Sequence, residues 1–178
     1  MIEFVECSKI GYKPRTEQNI VETDATIMIY WDGMTAGEKL TRKLCIEHNK
    51  PRFEIDFGHL VRSDSKLYTI IPAFLTWFNS NNPERINVAG NGIYTWSKAG
   101  IKTDQTRVNE YVGYFLYEIV DKIKFIQSGG QSGTDEAAIH FAIQNNIPAR
   151  IVAPKGWSFR LQDNKDIYDE KRFKERFE

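Results

Sequence analysis

An α/β fold, three layers built on a mostly parallel sheet of about five strands, is what this chain predicts. Short β-rich runs alternate with helical patterns of about ten to fifteen residues, the arrangement of βαβ units. The runs are apolar enough to be covered by helices on both faces. Four of the five end in glycine-bearing loops, and a parallel sheet gathers its binding turns at those ends.

The elements follow in chain order. Ile2–Glu6 reads as an added edge strand, and residues 25–31 as the first inner strand. Ala36, Leu40 and Leu44 then recur at helical spacing until Asn49-Lys50-Pro51 stops the helix. Residues 52–57 form the next strand. Residues 67–78 have a helical pattern that Pro72 breaks, and 79–83 is a turn into the strand at 85–89. Tyr111, Val112, Phe115, Leu116 and Ile119 mark a core helix before the strand at 124–128. Ala138, Ile139, Ala142 and Ile143 mark another, stopped by Asn145-Asn146-Ile147-Pro148 ahead of the strand at 150–153. Thr35 and Ser132, Asn49 and Asn146, Pro51 and Pro148 are pairs at one common separation, so these two strand–helix–strand units share a register. The alternative is that any helix returning to a strand uses similar stop chemistry. The tail, 169–178, is a charged helix with Phe173 and Phe177 one turn apart, built to dock on the body or on a partner.

At 178 residues the chain suits one domain spanning 1–178. Its 24 basic and 24 acidic residues leave no excess field for a polyanion, so general nucleic-acid binding is not expected. Cys7 and Cys45, far apart and outside any metal-like pair, read as free thiols of a reducing compartment. The first residues lack a basic stretch followed by an apolar one, and no window approaches a membrane span, so a cytoplasmic protein is expected. His48 and His59 show no ligand spacing; neither a metal nor a resident cofactor is expected.

The most informative stretch is Ser128-Gly129-Gly130-Gln131-Ser132-Gly133-Thr134, a glycine turn between a strand and a helix. Its glycines let the backbone approach a ligand, and the next helix presents its first N–H groups to an anion, phosphate above all. Ser132 and Asp135 also fit a capping box, which needs no ligand. Three further loops would complete the site: Asp32, Gly33, Thr35 and Gly37; Gly90, Asn91 and Gly92; and Lys155, Gly156 and Trp157. Trp31, Tyr94, Trp96, Trp157 and Phe159 either stack on a base or seal the core. Lys155 and Arg160 are candidate phosphate partners. Asp135 and Glu136 are the carboxylates nearest the turn, placed either to assist a water or to stabilise the helix start. Asp32 has the same choice between ligand and turn. His140, one helical turn after Glu136, reads as its surface partner.

Residues 128–138, followed by Ile147-Pro148 and Pro154-Lys155-Gly156, resemble the signature that opens the molybdenum carrier proteins of the YpsA-like branch of the SLOG superfamily. Arg15-Thr16, Asn19-Ile20, Asp24, Thr26-Ile27, Thr35-Ala36-Gly37, His48, Lys50-Pro51 and Asn87-Val88-Ala89-Gly90 resemble the later half of the same family. Here the two blocks stand in reverse order, as after a circular permutation, which a fold tolerates when its termini lie close together. The resemblance implies a Rossmann-like sheet and a pocket for a small phosphorylated nucleotide or nucleotide-derived ligand, a signal or a cofactor. It also implies shared pockets and hence a homo-oligomer. The alternative is a LOG-like nucleotide N-glycosidase using Asp135 or Glu136. Against that, this chain places both Gln131 and Ser132 between Gly130 and Gly133, one residue more than the LOG turn. DNA binding like that of the related DprA proteins is the least favoured, given zero formal net charge.

Overall fold

A computed structural model describes residues 1–61, 67–98 and 103–178. The chain runs β1 (Ile2–Glu6), α1 (Tyr12–Val21), β2 (Ala25–Tyr30), α2 (Ala36–Glu47), β3 (Arg52–Asp56), α3 (Phe57–Val61) and α4 (Leu67–Asn81). It continues through β4 (Arg85–Gly90), α5 (Ile93–Ser97), α6 (Gln105–Tyr117), β5 (Phe125–Ser128), α7 (Thr134–Gln144) and β6 (Ala149–Ala153), ending in β7 (Ser158–Arg160), β8 (Asp166–Tyr168) and α8 (Glu170–Glu175).

Strands β1 to β6 form one sheet in the order β1-β6-β5-β4-β2-β3, with every neighbouring pair parallel. The edge strand at Ile2–Glu6 is real and makes six strands where about five were expected. A two-stranded antiparallel ribbon, β7 with β8, is an addition the alternation of apolar residues did not reveal, because each strand has only three residues.

The two faces of the sheet differ chemically. Ile27, Ile29, Ile86, Val88, Ile126 and Ile151 join α4, α6 and α7 in the main core, with Phe74, Phe78, Val112 and Phe115. The face toward α1 and α2 has only a small apolar cluster, Ile20, Leu44 and Cys45. Between those helices and the sheet lie buried polar side chains instead. Asn87 Nδ2 donates to Thr26 Oγ1 at 3.2 Å, and Gln127 Nε2 donates to Asn19 Oδ1 at 3.2 Å and to Glu22 Oε2 at 3.0 Å. Burying amides costs free energy unless they are paired, and these largely are, so this face is wettable without being unstable.

The shared register of the two strand–helix–strand units holds at atomic detail. Asn49 and Asn146 both adopt the left-handed conformation, with φ of 49° and 56°. Behind each, the next N–H closes on a helical carbonyl at 2.9 Å: Lys50 on Cys45 and Ile147 on Ala142. Both are Schellman stops, with Asn supplying the left-handed residue usually supplied by Gly, and a proline following.

Two expectations are corrected. Pro72 does not break its helix: α4 runs from Leu67 to Asn81 with the proline inside. Only one N–H is lost, near the start of the helix, and burial of Phe74 and Phe78 outweighs it. Helix α6 ends at Tyr117, so Ile119 joins the core from the following turn. The charged tail docks on the body. Asp169 caps α8 by accepting the Arg172 N–H at 3.0 Å, Phe173 and Phe177 are buried, and Arg176 reaches Glu136 Oε2 and the Gly130 carbonyl, each at 2.6 Å.

Among the described residues no helix is long and apolar enough to cross a membrane. Phe173 is fully buried, so Phe173→Ala should lower the unfolding free energy by about 3–5 kcal/mol in urea denaturation. A loss below about 1 kcal/mol would mean that tail docking contributes little.

Candidate ligand-binding site

Parallel strands whose following helices depart to opposite sides leave a gap beyond their carboxyl ends. The chain goes from β2 through α2 to β3 on one side, and from β4 to β5 and β6 on the other. A cavity of about 370 Å³ opens where these ends meet. Its wall comes from the start of α2, the end of β4 with residues 91–95 after it, the loop after β5, one side of α1, and Arg160, Leu161 and Asn164 of the β7–β8 ribbon.

Asn91 locks the mouth. Its Oδ1 accepts the N–H groups of Trp31 and Asp32 at 2.8 and 2.7 Å, and its Nδ2 donates to the Asp32 carbonyl at 3.1 Å. Its own carbonyl accepts the Thr134 N–H and the Trp96 indole, both at 3.1 Å. Thr134 Oγ1 in turn donates to the Ile29 carbonyl at 2.8 Å. A Cβ on Gly90 would collide with that carbonyl and with the Thr134 hydroxyl, so this position requires glycine.

The glycine turn after β5 is largely occupied by the protein's own groups. The Gln131 N–H faces Asp135 Oδ2 at 3.4 Å, the Gly133 N–H donates to Gln105 Oε1 at 2.6 Å, and the Thr134 N–H is held by Asn91. Gly130 has φ +67°, and a Cβ there would run into Ile151 and Phe173; Gly133 has φ +92° and lies against the backbone of residues 91–93. Gly129, Gln131 and Ser132 reach the cavity wall, whereas Ser128, Gly130, Gly133 and Thr134 do not. Ser128 Oγ donates to the Val88 carbonyl at 2.8 Å, and Ser132 Oγ to the Arg160 carbonyl.

The remaining sequence candidates divide in the same way. Thr35, Gly37, Gly90, Asn91 and Gly92 line the cavity. Asp32 forms the turn instead, accepting the Met34 N–H at 2.8 Å, and Gly33 packs under Arg42 and Tyr30. Lys155 is exposed and off the wall, the Gly156 N–H donates to Glu6 Oε1 at 2.6 Å, and Trp157 packs on Phe173. Trp96 and Phe159 belong to the core, and Trp31 packs against Trp96. Tyr94 is on the wall, joined by Tyr12 of α1, and Arg160 is there too, with its guanidinium held by Asp166 at 2.6 Å.

The two carboxylates named from the sequence have different fates. Glu136 lies off the wall, held by Arg176 at 2.6 Å, with His140 at 3.7 Å. Its carboxylate is committed to docking the tail. Asp135 is on the wall, 3.2 Å from Arg15 Nη1. Burial pushes its carboxyl above the usual range, and the Arg15 guanidinium and the Gln131 amide pull against that. Gly129 makes the pair possible, since a Cβ there would occupy the space of the Arg15 guanidinium.

Glu38, in the first turn of α2, was not singled out in the sequence. It is 4% exposed, lines the cavity, and its Oε2 has no hydrogen-bond partner among the described residues. Burial pushes its pKa up to about 7; its own amide pulls it down, the charge of Asp135 pushes it further up, and Arg42 and Asn91 pull down. A signal for it did exist: Glu38 and Asp135 stand at the same separation as Thr35 and Ser132. Arg15, whose Nε is also buried without a partner, carried no such signal.

Fold and cavity together define a Rossmann-like α/β protein with a hollow at its strand ends. The family model described as the circularly permutated YpsA SLOG family matches residues 2–110, well over half of the chain, and the protein belongs to that family. The permuted order is visible in the sheet, where β1 pairs with β6. No curated protein and no solved structure matches the chain.

The Glu38 carboxyl fixes a pH dependence. It holds its proton more tightly in the fold than in the unfolded chain, with pKa about 7 against 4.5, so its contribution is fully present at acidic pH and is lost as pH rises through about 7. The loss is on the order of 3 kcal/mol. Glu38→Gln should therefore stabilise the protein relative to wild type above pH 7 and leave it little changed near pH 4.5. Thermal melts of both proteins across that window measure the difference; parallel curves would refute a neutral Glu38.

Proposed function

We propose that the cavity binds a small phosphorylated nucleotide or nucleotide-derived ligand. The observation that carries this reading is Gly37. A Cβ there would have only Thr35 Oγ1 near it, at 4.0 Å, and its φ is not positive, so neither packing nor backbone conformation requires glycine. In a helix, glycine costs about 1 kcal/mol relative to alanine, and this one faces the hollow. Thr35 makes no side-chain cap, unlike Asp104 and Asp169 on their helices. The start of α2 thus offers an anion backbone N–H groups, with the Glu38 N–H turned to its own carboxyl.

The wall chemistry agrees. Arg15 and Arg160 bring two guanidinium groups to the wall, each paired with one carboxylate, Asp135 and Asp166. Tyr12 and Tyr94 are the aromatic side chains on the wall that a base would meet, with Arg15 and Arg160 over the Tyr12 ring and Lys98 over the Tyr94 ring. A hollow of about 370 Å³ suits a small molecule rather than a polyanion. The phosphate cradle in this reading is α2, with Gly129 and Gln131 contributing from the loop after β5.

A second reading, hydrolysis of the N-glycosidic bond of the bound nucleotide, is favoured by one observation: two buried carboxylates in different surroundings face the same hollow. Self-association is a separate proposal, supported by Tyr114 and Tyr117, which stay exposed on α6. A monomer in sedimentation velocity rejects it.

Thermal shift with AMP, GMP, CMP, UMP and inorganic phosphate tests the binding reading. A rise in melting temperature with at least one nucleotide is expected. Gly37→Ala should raise the stability of the unliganded protein by up to about 1 kcal/mol and reduce the ligand-induced rise. A rise of equal size in that variant would remove α2 as the cradle.

A further inference from the structure

We infer that Glu38 is the proton donor to the departing base, and Asp135 the fixed negative charge beside the sugar, in hydrolysis of the N-glycosidic bond of a nucleoside monophosphate. The inference rests on the second reading above. Its basis is the asymmetry of two equivalent positions. Each carboxylate stands in the first turn of its helix, α2 or α7, and both line the one cavity. Asp135 has a permanent cation in contact, Arg15 at 3.2 Å, as well as the Gln131 amide. Glu38 has none among the described residues: Arg42, one helical turn on, is drawn away to Glu54 at 2.7 Å and to the Gly33 carbonyl. What faces Glu38 is its own amide, Asn91 from the end of β4, Arg42 at longer range, and the charge of Asp135.

Of two buried carboxyls on the wall of one cavity, the arginine-bound one ionises before the one that no cation among the described residues touches. With one proton between them, Glu38 holds it. That agrees with its pKa of about 7, where an acid donates most effectively at neutral pH. Oε2 is buried and has no partner among the described residues, so a proton carried there is given to no other protein group. A buried carboxyl oxygen without a partner is a stability cost that the fold does not need, and a proton-transfer role accounts for it.

The step balances. The bond from C1′ to the base nitrogen breaks with its electron pair going to the base, which takes the Glu38 proton. The developing positive charge on C1′ and the ring oxygen faces the carboxylate of Asp135. Water adds to C1′, and its surplus proton passes to the Glu38 carboxylate, restoring the acid. The products are free base and ribose 5-phosphate.

The test uses the full chain with AMP, GMP, CMP and UMP, following free base and ribose 5-phosphate by chromatography and binding by calorimetry. Wild type should release base from at least one of them, with kcat falling as pH rises through about 7. Glu38→Gln should lower kcat by ~10²–10⁴-fold, change KM little and lose the alkaline fall. Glu38→Asp, which keeps the acid on a shorter arm, should recover the pH dependence at a reduced rate. Melting curves verify that each variant folds. Base release by Glu38→Gln within about threefold of wild type overturns the assignment of Glu38 and leaves hydrolysis standing. Binding without release by wild type, or neither, overturns hydrolysis and this inference with it; calorimetry then judges the binding reading alone.

Discussion

The cavity depends on one clamp, the hydrogen bonds that Asn91 and Thr134 make where the sheet ends. Parallel strands are held along their length by the ladder, but beyond it the exposed N–H and C=O groups of successive loops need other partners. Asn91 supplies them for the end of β2 through its amide and for the start of α7 through its carbonyl, and the Thr134 hydroxyl closes the circuit on Ile29. The buried polar groups at that point would each be costly if left unpaired. Because they are mutually satisfied, the loops after β2, β4 and β5 are fixed relative to one another, and a hollow remains between them. Gly90 is the sequence consequence: only a residue without a side chain lets these backbones come so close.

The near-repeat of β2–α2–β3 and β5–α7–β6 explains why the hollow has two carboxylates and why they differ. Identical helix stops set α2 and α7 in equivalent registers, which brings Glu38 and Asp135 to equivalent first-turn positions at the same sheet edge. Acidic residues there are stabilised by the helix ends, so each is acceptable locally. Their difference is tertiary. Helix α1 sends Arg15 across Gly129 to Asp135, while the Arg42 guanidinium is committed to Glu54 and lies over the Tyr30 ring, whose hydroxyl is pushed up to about 12 by burial and by Glu54. One carboxylate is neutralised by a partner and the other by a proton.

This also marks what was legible in the sequence. The strands at 25–31, 52–57, 85–89, 124–128 and 150–153 were readable because inner parallel strands are continuous apolar runs, and the structure keeps them to within a residue or two at their ends. The Asn-Pro stops were readable because they are local chemistry. The ribbon of β7 and β8 was not, being too short for a period. The site was half legible. Glycine positions identified the loops, but not whether each glycine faces a ligand or a neighbouring backbone: Gly37 has open space around it, whereas Gly130 is pressed by Ile151 and Phe173. Glu136 looked equal to Asp135 because adjacent residues on a helix differ by a large angle that only the docked partner resolves, and that partner, Arg176, is forty positions away.

The position of the cavity within the sheet makes the permuted order of blocks chemically neutral. Strand β1 lies at the edge beside β6, separated from β4 by two strands and from β2 by three, so the reordering of the chain falls away from the β2 and β4 ends that build much of the hollow. The family match, residues 2–110, carries α1, β2, α2 and β4, and with them Arg15, Glu38 and Asn91; Gly129 and Asp135 come from the later part. Neither part suffices. Arg15 without Asp135 would be a buried cation without its counter-charge, and Asp135 without Arg15 a buried anion without one, each costing several kcal/mol. The ion pair across Gly129 therefore couples assembly of the two blocks to assembly of the site.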